Sequence, residues 1–165
     1  MRKTVVASDS FKGCLSSAQV ADAVEKGIHE LYPDCEIVKL AVADGGEGTM
    51  EALGYRFMDA DLKKGADMVL DVIGFDHAIE EADLVITGEG KIDGQTLNGK
   101  LPSAVARRAS ARNIPVIAIC GRTEVESLPC FARICPVTPQ EMPLEQAMQP
   151  DIAMENIKEK AKILK

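Results

Sequence analysis

The apolar positions of this chain change period along its length, and each change predicts a new element. Residues 4–8, TVVAS, are apolar and β-branched and run straight into polar DSFKG, which predicts a short buried strand. From Ser16 or Ser17 the period becomes helical. Val20, Val24, Ile28 and Leu31 fall on one face, a serine is in place to cap, and Pro33 ends the run. Residues 36–42, EIVKLAV, predict a second strand; ADGGEGT follows, with a helix start at Glu47. Residues 62–82 predict a helix in two pieces broken at Gly74, and DLVIT at 83–87 a third strand. A helix over 102–112 opens on Pro102, a favoured place for proline, and PVIAIC at 115–120 predicts a fourth strand. A fifth is expected around FARICPV, 131–137. The last helix, from about residue 151 to the C-terminus, turns Ala153, Ile157, Ala161 and Leu164 inward.

Strands alternating with helices predict an α/β fold, with a mainly parallel sheet and helices on both faces. The 165 residues suit one domain with room for a real core. At 46% hydrophobic and 27% charged, the chain belongs with soluble globular proteins, and it holds no apolar run long enough to cross a bilayer. The N-terminus lacks the apolar stretch of a signal peptide, so the expected location is cytoplasmic. A net charge of −7 without any basic block argues against a nucleic-acid partner, yet leaves room for a small anionic ligand at a local site. The five cysteines form no CxxC pair and no histidine sits at zinc-ligand spacing, so free and mostly buried thiols are expected. His29 and His77 are both read as surface residues.

In a parallel sheet, ligands bind where the strands end and loops lead into helices. Three polar segments fall at such places. DSFKG, 9–13, sets Asp9, Ser10 and Lys12 just past a strand, and a lysine there is a natural partner for phosphate or carboxylate. ADGGEGT, 43–49, sets glycines before a helix, where free backbone N–H groups can face an anion; Asp44 can hold Mg²⁺ or take a hydroxyl proton. GEGKIDGQTLNGK, 88–100, reads as a loop roughly twice the usual length. It offers Glu89 and Asp93 as metal ligands or bases, Lys91 and Lys100 as counter-charges, and Thr96 as a hydroxyl ligand. Each segment has a plain alternative: an Asx or Ser turn, a tight strand-to-helix turn, and a solvated loop. Their coincidence on one edge favours a ligand site. No Walker A motif, dinucleotide fingerprint or histidine-based nucleophile is present, and phosphoryl transfer fits best because it depends on placed cations, a metal and a carboxylate.

Taken together, ASDSFKGCLSSAQVADAVEKG, VADGGEGTMEAL and ADLVITGEGKIDGQTLNGK, followed by PVIAICG, resemble the bacterial class I glycerate kinases. The resemblance implies a Rossmann-like three-layer sandwich. It also implies that residues 1–53 match the family's N-terminal segment and about 54–165 its C-terminal segment. Members of that family are more than twice as long, with a second domain inserted between these segments; here the join falls near Leu53–Gly54. The implied activity is phosphorylation of D-glycerate, to 2-phosphoglycerate, with ATP and Mg²⁺. The family's polar motifs map onto Asp9, Ser10 and Lys12, onto Asp44, Gly45, Gly46, Gly48 and Thr49, and onto Glu89, Asp93, Gln95 and Thr96, with Lys100 beside them. On this reading Lys12 neutralises the substrate carboxylate or the transferring phosphoryl group. Asp44 or Asp93 serves as base or metal ligand, with Asp44 and Glu89 the candidates for Mg²⁺. Because the active site lies between two domains, the shortened chain is expected to have little or no kinase activity. The alternatives are an inactive domain or scaffold, or a binder of phosphorylated small molecules. Surface left by the missing domain near 44–60, including YRFM at 55–58, is expected to promote self-association.

Overall fold

Val5 and Val6 point to opposite faces of one strand, and both are completely buried, which requires a sheet covered on two sides. That strand is β1 (Lys3–Val6) in a computed structural model that describes residues 1–40, 65–97 and 99–164. It lies beside β2 (Glu36–Lys39) and β3 (Leu84–Ile92); β4 (Val116–Thr123) and β5 (Arg133–Pro136) complete the sheet. The order is β2-β1-β3-β4-β5, and every neighbouring pair is parallel.

Two apolar clusters cover the two faces. On one, Val6, Ile86, Ile117 and Ile119 lie under α1 (Ser17–Leu31) and α6 (Pro150–Ala161), which contribute Val20, Val24, Ile28, Ala153 and Ile157. On the other, Val5, Val85, Val116 and Ala118 meet Leu70 of α2 (Gly65–Val72), Phe75 of α3 (Phe75–Ala78), and Val105 and Ala109 of α4 (Leu101–Ser110). The expected three-layer α/β architecture is what the chain adopts. A short helix that the sequence pattern does not announce, α5 (Leu144–Ala147), precedes α6. None of the described helices is long and apolar enough to cross a membrane.

Helix α1 starts where its capping signal places it. The Gln19 N–H donates to Ser16 Oγ at 3.3 Å, while Gln19 Oε1 accepts the Ser16 N–H at 2.9 Å, a reciprocal capping box. Leu31 corrects the predicted inner face: it is 51% exposed, because the helix leaves the sheet after Ile28. Gly27 lets α1 and α6 touch. A Cβ there would lie 2.2 Å from the Lys158 carbonyl oxygen and 2.7 Å from Ala161 Cβ. The break at Gly74 is a left-handed residue, φ 65°, between α2 and α3. His29 is half-buried rather than superficial, its Nε2 lying 2.9 Å from the Cys35 carbonyl oxygen. His77 is exposed as expected. All five cysteines are free, with Cys35, Cys120 and Cys135 buried.

The third strand departs most from expectation. It continues past Thr87 through GEGKI, and β4 likewise runs on to Thr123; Gly88 pairs with Ile119, Glu89 with Cys120 and Lys91 with Arg122. The supposed long loop is strand as far as Ile92 and becomes a turn only beyond it. The predicted end of the second strand, 41 and 42, and the helix start at Glu47 lie outside the described residues.

Candidate functional site

All five strands of a parallel sheet end on one edge, and the first and third polar motifs lie there. After β1 the chain stays extended against β3, with the Ala7 N–H donating to Ile86 O and the Asp9 N–H to Gly88 O, both at 2.9 Å. It then turns back on itself through a bridge between Phe11 and Leu15, with Gly13 at φ 75°. Ser17 Oγ donates to Ser8 O at 2.7 Å, tying the first turn of α1 to this loop. Asp9 is 8% exposed and its Oδ1 accepts the Ser10 N–H at 2.6 Å. Lys12, at the tip, is exposed.

Gly88 of the third motif and Gly121 of β4 serve the sheet. A Cβ on Gly88 would meet the Ile119 carbonyl oxygen at 2.2 Å, and one on Gly121 would meet Gly90 O at 2.7 Å. Only with those side chains absent can β3 and β4 stay paired past Thr87. Gly90 brings two motifs together: its Cβ position is 3.7 Å from Lys12 N and from Phe11 Cα. The DSFKG loop therefore crosses directly over the strand that carries Glu89.

Beyond Ile92 a single 3-10 turn, Gly94–Leu97, folds the chain back toward Glu89. Thr96 Oγ1 donates to Glu89 Oε1 at 2.7 Å, and the Asp93 N–H donates to Thr96 Oγ1 at 3.2 Å. Lys100 Nζ donates to Glu89 Oε2 at 3.3 Å and lies 3.9 Å from Asp93 Oδ1. The Gln95 N–H donates to Asp93 Oδ1 at 2.9 Å, leaving the Gln95 side chain exposed. Thr96 is completely buried, and the Glu89 side chain is only 12% exposed. Lys91 stands apart from this group. It pairs with Glu124 at 2.7 Å on exposed surface, and that carboxylate holds its pKa above the ordinary lysine value.

The loop of Asp9, Ser10 and Lys12 thus lies against the strand that bears Glu89, and Asp93, Thr96 and Lys100 gather around Glu89 with Gln95 exposed beside them, whereas Asp44, Gly45, Gly46, Gly48 and Thr49 lie outside the described residues. Among the described residues no group of three or more His, Cys, Asp or Glu is placed to hold a metal ion. Glu89 and Asp93 supply two carboxylates close to one ammonium. Two carboxylates fit Mg²⁺ carried on a nucleotide, because that ion takes most of its ligands from phosphates and water. Sequence reasoning missed Arg122, whose Nη2 donates to Met142 O at 2.8 Å on the same edge. The signal was the β-branched Thr123 beyond PVIAIC, which extends the strand past Cys120. At the opposite, amino-terminal edge of the sheet a recess of about 370 Å³ is lined by Met1, Tyr32, Leu84, Ile117, Arg133 and Leu164. None of the described motif residues lines it.

A family model described as the glycerate kinase family matches residues 4–57 and again 52–164. The chain is similar to a glycerate kinase of Bacillus subtilis (strain 168), 36% identical over 136 residues that cover 78% of this chain and 33% of that one. It is also similar to a glycerate 2-kinase of Escherichia coli (strain K12), 55% identical over 51 residues covering 31% and 13%. It spans about a third of the length of the first curated relatives it matches. In three dimensions it superposes on a chain assigned as glycerate kinase 2 from Salmonella typhimurium LT2, with a TM-score of 0.76. That match has 18% identity and covers 98% of this chain and 96% of the other, a likeness of fold.

Proposed function

The chain belongs to the glycerate kinase family, and from that premise we propose that it forms one wall of a cleft for ATP- and Mg²⁺-dependent phosphorylation of D-glycerate to 2-phosphoglycerate. The observation that carries this reading is the crossing of the DSFKG loop over Gly90, which sets the Lys12 backbone beside the strand bearing Glu89. Lys12, exposed at the loop tip, neutralises the substrate carboxylate or the moving phosphoryl group. Asp44 or Asp93 accepts the hydroxyl proton or holds the metal, and Glu89 is the second carboxylate for Mg²⁺. Gly45, Gly46 and Gly48 offer backbone N–H groups to phosphate, while Asp9, Ser10, Thr49, Gln95 and Lys100 make the remaining polar contacts. The nucleotide and its metal supply the phosphoryl group and neutralise its charge; the chain's own residues bind, orient and take up the proton.

The two overlapping family matches support a join near Leu53–Gly54, with the family's inserted domain left out. One wall alone neither excludes water nor positions both reactants, and those effects account for many powers of ten in rate. The chain is therefore expected to bind nucleotide and turn over little or none. Coupled measurement of ADP release with and without D-glycerate tests this. The expected result is no glycerate-dependent release; turnover at the ordinary kinase rate of about 1–100 s⁻¹ would overturn it.

A further inference from the structure

The hydroxyl of Thr96 hydrogen-bonds both acidic residues of the third motif, and it has no surface of its own. Its oxygen accepts the Asp93 N–H, so its proton is directed to Glu89 Oε1. Glu89 is consequently held at both oxygens: by the threonine hydroxyl at 2.7 Å on one side and by Lys100 at 3.3 Å on the other. Of these two contacts only the first is shut away from water. Lys100 is 40% exposed and free to turn toward an incoming anion, whereas Thr96 has no alternative partner to turn to. In this arrangement the Thr96 side chain offers no surface of its own.

We propose that Thr96 is a positioning residue: it acts through Glu89, keeping that carboxylate in one orientation when Lys100 leaves it for phosphate. This rests on the reading of the edge as a nucleotide half-site. Because the hydroxyl also accepts from the backbone of Asp93, the same residue fixes the start of the 3-10 turn, so one atom ties the Asp93 backbone to the Glu89 carboxylate.

Calorimetric titration of the chain with Mg·ATP, arranged as a double-mutant cycle, tests the proposal. Thr96→Val is expected to weaken binding about tenfold, the size of a hydrogen bond to a charged group, and Thr96→Ser to stay within about threefold. Glu89→Gln should weaken binding by a similar factor, and adding Thr96→Val to Glu89→Gln should cost nothing more. Additive losses, or a serine variant as weak as the valine variant, would overturn the positioning role while leaving the half-site intact. Failure of the unaltered chain to bind Mg·ATP would overturn both. Thr96→Ala, which removes the same hydroxyl without adding bulk, supplies the same arm if the valine variant does not fold.

Discussion

Replacing Gly27 by alanine sets two effects of opposite sign against each other, and the structure decides between them. In an isolated helix the change is favourable by about 1 kcal/mol, since glycine gives up more backbone freedom. Here the new Cβ would stand 2.2 Å from the Lys158 carbonyl oxygen and 2.7 Å from Ala161 Cβ, where ordinary contact begins at 3.4 Å. Subtracting 2.2 from 3.4 leaves 1.2 Å by which α1 and α6 must separate, because neither obstacle is a flexible side-chain end. A gap of that order forfeits much of the dispersion energy between the helices, which share Val24, Ile28, Ile157 and Ala161 in one cluster. Overpacking of this kind costs roughly 3 kcal/mol, so the net loss is about 2 kcal/mol. Urea denaturation followed by circular dichroism should show a lower midpoint with an unchanged slope, and Tm should fall by about 4–8 °C. Gly65→Ala, where a Cβ meets nothing within 4 Å, serves as the control and should be neutral or stabilising. A Gly27→Ala chain as stable as the parent would refute the close packing of α1 on α6.

The Asp67 side chain links α2 to α4 through Arg107 at 2.5 Å and Arg108 at 3.3 Å. Burial opposes its ionisation, but the two guanidinium groups outweigh that and hold its pKa below the ordinary aspartate value. Its stabilisation is therefore complete above the unfolded pKa of about 4 and is lost as pH falls through the lower folded value. Asp67→Asn should cost roughly 1–2 kcal/mol at neutral pH and flatten the acid limb of stability against pH; parallel limbs would contradict the pairing. Burial pushes the Cys120 thiol up to about 12 and raises that of Cys135, so at pH 8 a thiol reagent should label Cys14 and Cys130 first and the buried cysteines only in denaturant. Rapid labelling of Cys120 in the folded chain would be inconsistent with this core. Light scattering is expected to show concentration-dependent association, and a monomer at every concentration would remove that expectation.

Helices with both a period and a cap could be read directly from the residues. The Ser16–Gln19 box and the spacing of Val20, Val24 and Ile28 carry local information that tertiary contacts do not contradict. GEGKI could not be read in this way, since two glycines and two charges within five residues describe a loop by composition. It is strand because β4 also runs on, and because Gly88 and Gly121 remove the Cβ atoms that would block the pairing, a condition set by a neighbour some thirty residues away. The site follows the same division. That Asp9, Lys12, Glu89 and Asp93 share one edge follows from alternating strands and helices. That Thr96 faces inward to Glu89 while Lys91 faces outward to Glu124 depends on the course of the 3-10 turn and on strand register, which no local pattern encodes.

The central claim is that the carboxyl edge of the sheet, and no other surface, receives the nucleotide. Titrating isotopically labelled protein with Mg·ATP and following backbone amide resonances tests it most directly. Shifts confined to residues 9–13, residues 43–49 and the stretch from Gly88 to Lys100 are predicted. Shifts around Tyr32, Leu84 and Arg133 at the opposite edge, or none at saturating nucleotide, would contradict it.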